Sequence, residues 1–515
     1  MSGERGFPVR QILVGLALLA VLYLDFSIYL AGNIWVALAV LIVTGLGSYI
    51  YLFDAGYTYR YLFPGFLGFG LFVIFPIVYM FCLSFTKYSS QNLLYFDRAF
   101  AMLRQESYTV GNTVYKYKLY DQGDENYVLY LEDETDPAKR FVSTPFTLKA
   151  GVQPTGPMEA EKLSPLAPGT EIPGTPLEFA QVTREKLFIP MRGRPFALPD
   201  DTLVTMEGLQ KFVSRARLWA VNPDGTLTNK RNGQTVHPDF NLGFFVNDNG
   251  EKVGVGFRTF SGLENYIRIV SDPRIQGPFF KIFVWTVAFS AFSVGLTFAV
   301  GMLLSVILEW KELRFRRAYR TLLILPYAVP AVLSILIFRG LFSQEFGAVN
   351  DFLRGIFGVA PEWETNPWAA RGMVVLVNVW LGYPYMMLVC TGMLQSIPSG
   401  IYEASAIDGS GPVGNFFKIT LPLVLPPLVP ILISSFAFNF NNFNLIYLLT
   451  AGGPKMVGGG IAGDTDLLVN YTFNIAFRDS GTNFGLASAI ATLLFIMVGF
   501  LAWINLKLSG RNVKI

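Results

Sequence analysis

A chain of 515 residues with 52% apolar and only 15% charged side chains departs from a water-soluble globular composition, in which about a quarter of residues are charged. Its net charge of +3 is small and scattered, so no nucleic-acid partner is expected. One histidine, His237 in a polar stretch, argues against a catalytic triad or a His-rich metal centre; two cysteines, Cys82 and Cys390, both in apolar runs, read as inert thiols rather than a disulfide framework.

About 20 helical residues cross the ~30 Å hydrocarbon core of a bilayer. The sequence holds eight apolar runs of that order, predicting spans at 12–31, 33–53, 61–86, 279–308, 321–342, 372–396, 427–450 and 485–506. The first is too long, and too poor in a small-residue cleavage site, for a cleaved signal peptide, so it reads as an anchor in lipid. Orientation follows from Lys and Arg in short loops. EWKELRFRRAYR (309–320) has five basic residues against two acidic, the tail KLSGRNVKI has three against none, and Arg5 and Arg10 precede the first span. An eight-span path puts all three on one side, so both termini are expected in the cytoplasm.

Residues 87–277 then lie outside. YKYKLY (115–120) and YVLYLE (127–132) are rich in strand formers, and prolines crowd 153–199. NPDG (222–225) reads as a tight turn, its faint likeness to a calcium loop notwithstanding. The organisation expected is two membrane helices in 1–60, a third in 61–86, a β-rich external domain in 87–277, and a five-helix core in 278–510. Pro326 and Pro330 are expected to interrupt span five, and Pro384 span six; freed backbone carbonyls need protein or water beside them, so these helices should line a protein core or pathway.

The span interiors are nearly free of ionisable groups, with Asp25, Lys281 and Arg339 near predicted ends. Ion-coupled carriers place such groups at membrane depth. No GxxxxGK[ST] phosphate loop is present either. Ion coupling, ATP binding by this chain and a cofactor are therefore not expected, and energy for any pumping comes from a partner. Catalytic and metal-ligating residues are expected to be absent, which disfavours a membrane enzyme.

Residues 397–422, IPSGIYEASAIDGSGPVGNFFKITLP, predict a short helix over 402–408, ended by Gly409, and a second before Pro422. It presents Glu403 with small neighbours Ala404, Ser405 and Ala406, which allow close approach of another protein. Farther on, SSFAFNFNNFN places Ser435, Asn439 and Asn442 at i, i+4 and i+7, one stripe of a continuous helix, with Phe438 on its flank and Asn441 and Asn444 elsewhere. Amides beside an aromatic ring suit a sugar, whose hydroxyls bond amides and whose C–H face packs on the ring. Hydrogen bonds between helices account for the stripe equally well, and for Asn441 and Asn444 they are the preferred reading.

The segment 403–422 resembles the EAA loop of ABC-importer membrane subunits: Glu403, Ala404, Ser405, Gly409, Ile419, Leu421 and Pro422 stand at the family's spacing, with Ser405 in place of its third alanine. ILPYAVP, VWLGYPYMM, YEASAIDGSGP, FFKITLP, SSFAFNFNNF and TDLLVNYT are similar to the maltose/maltodextrin permeases of the MalF type, as is the layout of eight spans with an insert after the third. The resemblance implies an all-α polytopic membrane protein with a type I ABC-importer permease core and an inserted, immunoglobulin-like periplasmic domain. It implies partners: a second homologous permease subunit, two copies of a cytoplasmic ATPase that the Glu403 helix docks into, a periplasmic maltose-binding protein, and maltose or maltodextrin itself. It favours sugar contact at Ser435, Phe438, Asn439 and Asn442, and implies further contributions from Asn378, Leu381, Gly382 and Tyr385 in span six and Tyr327 in span five. Asn378 and Tyr385, seven apart, share a face, and Gly382 between them permits close approach. The glycine-rich loop 452–463, mobile by composition, would meet the binding protein. Other α-glucosides or oligosaccharides remain open as substrates, and a membrane receptor or an ion-coupled carrier are the competing classes.

Overall fold

The computed structural model describes residues 9–30, 34–52, 54–152, 158, 160–167, 169–192, 194–200, 202–310, 312–479 and 481–512. Arg5, Lys311 and Lys514 of the charge pattern, and the run ends Ala31, Asn33 and Phe53, fall outside them. The chain divides into two units, residues 1–82 and 83–515.

In the first unit, α1 (Val9–Leu30) and α2 (Ile34–Leu52) expose most of their large apolar side chains, as lipid-facing helices do. The turn after α2 is tied back by Arg60, whose Nε donates to Ile50 O (3.0 Å) while Tyr51 OH donates to Arg60 O (3.0 Å). α3 (Phe63–Ser84) carries a π-turn at Gly70–Ile74, just ahead of Pro76, which has no N–H to continue the α ladder.

The insert in the second unit is β-rich, as expected. Its organising element is a 17-residue strand, Ser107–Gly123, antiparallel to Asn126–Asp133, Lys211–Arg217 and Thr175–Leu177. A register shift between Thr109 and Val114 bends this strand. From Asn126–Asp133 the pairings run through Arg140–Ser143, Glu161–Pro165, Phe196–Ala197 and Leu203–Glu207 to Lys211–Arg217, and so back to the long strand. Two sheets form, but the larger one closes on itself around Leu119, Leu129, Leu131, Phe196 and Phe212, where a plain immunoglobulin-like sandwich would set its core between two layers. The second is a five-stranded sheet over 219–253, packed around Phe245 and Phe257. NPDG closes its first hairpin, with Gly225 at φ 82° and the Asp224 carboxylate accepting from Thr226, as a tight turn requires.

The insert leaves and rejoins the membrane region at one place. Asn265 Nδ2 donates to Ser84 O (2.8 Å) and Thr86 O (3.0 Å), Tyr266 OH meets Ser84 Oγ (2.7 Å), and Lys87 pairs with Glu264 (2.7 Å).

Beyond shorter helices such as Phe96–Gln105, Glu264–Ser271 and Ala348–Phe357, the helices that follow the insert are α4 (Pro273–Glu309), α5 (Arg316–Ala328), α6 (Ala331–Leu341), α7 (Pro367–Gln395), α8 (Ser399–Ile407), α9 (Pro412–Phe440), α10 (Phe443–Leu449), α11 (Leu468–Phe477) and α12 (Phe484–Asn512). Among the described residues, five helices are long and apolar enough to cross a membrane, and six if α5 and α6, bent by 92° at Pro330, count as one span. Three expectations are corrected. Pro330 breaks span five, but Pro326 stays inside α5. Pro384 does not interrupt span six: it is buried within an unbroken α7. Span seven is not one helix over 427–450. α9 starts earlier and ends at Phe440, where the asparagine side chains compete for the backbone. Asn441 Nδ2 turns back to Ala437 O (3.5 Å), and Asn442 Oδ1 caps the Leu445 N–H of α10 (3.4 Å).

α4 and α7 form the closest crossing. A Cβ on Gly301 would lie 2.8 Å from Met387 N, and one on Gly382 3.0 Å from Thr297 Cγ2. Ser305 Oγ donates to Met387 O (2.7 Å), and Thr391 Oγ1 donates to Ser305 Oγ (3.2 Å). Small residues with a few hydroxyl bonds are how helices approach in lipid, where no hydrophobic force pulls them together.

Candidate functional site

The break between α9 and α10 puts Asn439 and Asn442 on either side of a turn, and both face Asn378 of α7. Asn442 Nδ2 donates to Asn378 Oδ1 (3.1 Å), Asn378 Nδ2 to Asn439 Oδ1 (2.7 Å), and Asn439 Nδ2 to Ser435 O (2.9 Å). Asn378 is 7% exposed and Asn439 8%. The three amides thus form a relay joining three helices, buried at Asn378 and Asn439 and half-buried at Asn442. Each amide nitrogen uses one of its two hydrogens for the bonds named, leaving three N–H groups with which to donate again. Ser435 enters through its backbone carbonyl, not by the expected helical stripe.

Phe438, next to Asn439 on α9, is 73% exposed, and Tyr385, two turns along α7 from Asn378, is 43% exposed. Tyr327 is exposed on α5, and no contact joins it to the relay among the described residues. Leu381 packs partly buried beside Leu445 and Val377. Gly382 gives its space to Thr297 of α4 rather than to the relay. Asn441 and Asn444 are exposed, and Asn441 bonds its own helix rather than a neighbour, correcting the packing role expected of it. The sequence reading missed Asn470 of α11, whose Nδ2 donates to Phe443 O (3.1 Å) and so braces the break from behind. A third asparagine-bearing run, LVNYTFN, was the available signal.

The 397–422 segment forms one short helix, α8, but not the expected second one: the chain from Pro412 is already α9, which runs on through Pro422. α8 ends at Ile407, and Gly409 takes φ 77°, which returns the chain with a bond from Ser410 N to Ser405 O (3.0 Å). Glu403, Ala404 and Ala406 are exposed. Ser405 is 9% exposed, and its Oγ donates to Asn415 Oδ1 (2.6 Å). Tyr402 OH meets Thr420 Oγ1 (2.9 Å). The serine that departs from the family pattern thus bolts α8 to the start of α9. Ile407 (88% exposed) and Phe417 (62%) add apolar surface beside the outward face of α8.

The glycine-rich loop is held, not loose. Arg371 Nη2 pairs with Asp464 Oδ1 (3.1 Å), Trp285 Nε1 donates to Thr465 O (3.3 Å), and Thr450 Oγ1 meets Thr465 Oγ1 (2.8 Å). Asp466 is 1% exposed and accepts from Gly463 N (2.8 Å). Gly452, at φ 85°, is obligatory, because a Cβ there would lie 2.1 Å from Asp466 Oδ1. Only the tip projects, with Val457 fully exposed.

Two family models match the chain. Residues 94–262 match the maltose transport system permease protein MalF P2 domain, and residues 282–510 match the binding-protein-dependent transport system inner membrane component. The maltose/maltodextrin transport system permease protein MalF of Klebsiella aerogenes is 45% identical over 502 residues, covering 96% of this chain and 95% of the relative. That of Yersinia pestis is 42% identical over 513 residues, covering 98% and 94%. Among solved structures, a chain of a bacterial alginate ABC transporter aligns with a TM-score of 0.42 at 20% identity, over 49% of this chain and 84% of that one.

Proposed function

The chain belongs to the MalF family of maltose/maltodextrin transport permeases, and from that premise we propose how its two sites divide the work of import. It is the non-catalytic, membrane-spanning permease subunit of an ABC importer in the inner membrane, and ATP is hydrolysed by other subunits of the complex.

In our reading, both termini and the 309–320 loop lie in the cytoplasm and the β-rich insert lies in the periplasm. The partners are a second, homologous permease subunit without such an insert, two copies of a cytoplasmic ATPase, and a soluble maltose-binding protein. α8 docks on the ATPase with Glu403 and its small neighbours. Closure of the ATPases moves α8 and turns α5–α12 from inward- to outward-facing. Such a change is driven only by different affinities for the two states, supplied here by ATP and by the binding protein. Sugar then reaches the relay. Its hydroxyls take the spare N–H groups of Asn378, Asn439 and Asn442, and a pyranose face packs on Phe438 or Tyr385. Hydrolysis reverses the movement and releases sugar inward. Leu381 and Gly382 shape the wall by holding α7 in place, and Tyr327 contributes only once α5 moves.

One observation carries the reading: a largely buried three-amide relay beside a 73% exposed phenylalanine, at a break between two apolar helices. The experiment is uptake and ATP hydrolysis by the complete complex in liposomes, with the binding protein and maltose. Asn439→Ala is expected to cut transport by at least about tenfold, the scale of one lost buried polar contact. Glu403→Lys is expected to abolish the stimulation of ATP hydrolysis by sugar. Normal transport by Asn439→Ala would leave the amides as helix packing alone.

A further inference from the structure

Glu309, the last residue of α4, holds two other helices by one carboxylate. Its Oε2 pairs with Arg316 Nη2, and its Oε1 accepts from Arg320 Nη2 (3.1 Å) and from Gln395 Nε2 (2.9 Å). Arg316 and Arg320 are one turn apart on α5, so both reach the same side. Gln395 is the last residue of α7, and only Ser396–Pro398 separate it from α8. The knot is partly sheltered, with the Glu309 side chain 26% exposed and both arginines 34%.

The three helices do not need this knot equally. α4 and α7 are already locked by Gly301, Gly382 and the Ser305 hydroxyl, at contact distances that leave no play. α5 is different: none of its 13 residues is buried, and beyond it the chain turns by 92° into α6. α5 also packs along α7, and the charged tie fastens the first two turns of α5 to the ends of both α4 and α7. A displacement of α8 would act on α7 through the three-residue link, on α4 through the tight crossing, and on the start of α5 through Glu309.

We infer that Glu309 is a positioning residue for coupling, the carboxylate through which movement of α8 reaches α5 and the bent α5–α6 pair. This rests on the reading of α8 as the ATPase contact. A glutamine at 309 keeps the volume and an acceptor for Gln395, but gives up the charge that holds two guanidinium groups.

The test uses the complete reconstituted complex and reads sugars moved per ATP hydrolysed. Glu309→Gln is expected to lower that ratio by at least about tenfold, a coupling loss of ordinary size, while complex yield and ATP hydrolysis stay near wild type. Glu309→Asp, which keeps the charge, is expected to recover much of the ratio, and Arg320→Gln to lose part of it. An unchanged ratio in Glu309→Gln overturns the inference. So does a fall in transport and hydrolysis together, in proportion to a fall in assembled complex, for that is only a structural role. A wild-type complex with no sugar-stimulated hydrolysis fails at the earlier step and overturns the import reading itself.

Discussion

At the scale of single residues, the relay and the buried carboxylate behave oppositely. Asn378 has partners on both sides of its amide, so truncating Asn439 leaves a donor stranded in a nearly dry place, at about 1–3 kcal/mol. Asp466 is strained by its own ionisation. Burial pushes its carboxyl up to about 6 from 3.8, against the opposing pull of the Gly463 N–H, Lys455, Arg478 and Asn474. The folded value lies above the unfolded one, so the stability this group contributes is fully present below about 3.8 and is lost as pH rises through about 6. A shift of that size corresponds to roughly 3 kcal/mol. The loop over 450–467 is therefore expected to be better protected at acid than at neutral pH. Hydrogen-exchange protection factors measured on either side of pH 6 check this, and Asp466→Asn should flatten the difference. Equal protection at both pH values would mean that the carboxyl finds water.

Helices and their ends show what sequence pattern can and cannot deliver. Eight apolar runs read as spans, whereas among the described residues five helices, or six with the bent α5–α6 pair, are long and apolar enough to cross a membrane, and the i, i+4, i+7 stripe supposes a helix that stops at Phe440. Period-3.6 geometry assumes a continuous backbone, whereas consecutive asparagines can bond the backbone themselves and end it. The prolines misled in the same way. A proline within a helix costs about 3 kcal/mol, yet α7 stays whole across Pro384 and α5 across Pro326, and the chain breaks only at Pro330, between α5 and α6. No local pattern separates these cases. The α4–α7 crossing was equally invisible, since Gly301 carries no motif, and it makes a sharp prediction. Gly301→Ala pushes a methyl against the Met387 backbone at 2.8 Å, which cannot step aside, while Gly382→Ala meets a side-chain methyl of Thr297 at 3.0 Å. Overpacking of the first kind costs roughly 1–3 kcal/mol. Thermal unfolding of the purified protein should show a clear drop for Gly301→Ala and a smaller one for Gly382→Ala. A reversed order would mean that the helices separate freely at Gly301.

Over the whole molecule, composition gave the membrane class and motif spacing gave the family, because both are properties of short stretches. The closed sheet of the insert was not legible, since closure depends on a pairing between strands as distant as Ser107–Gly123 and Lys211–Arg217. The path through the membrane is a global property too, and it turns on α5 and α6. If that bent pair crosses once, three spans separate the 309–320 loop from the 452–463 loop, and the two lie on opposite sides. If it dips in and returns, they lie on the same side. Exposed positions allow a direct measurement in a Cys82→Ser background, where the remaining thiol, Cys390, is buried. Val457→Cys, at the fully exposed loop tip, and Phe240→Cys, 55% exposed on the insert, are expected to react with a membrane-impermeant maleimide on intact cells stripped of outer membrane. Phe315→Cys, 77% exposed between α4 and α5, is expected to react only after the membrane is opened. Labelling of Phe240 but not Val457 would make α5–α6 a re-entrant hairpin and place the 452–463 loop in the cytoplasm, out of reach of any periplasmic binding protein. Labelling of Phe315 alone would invert the molecule and set α8 on the wrong side for an ATPase.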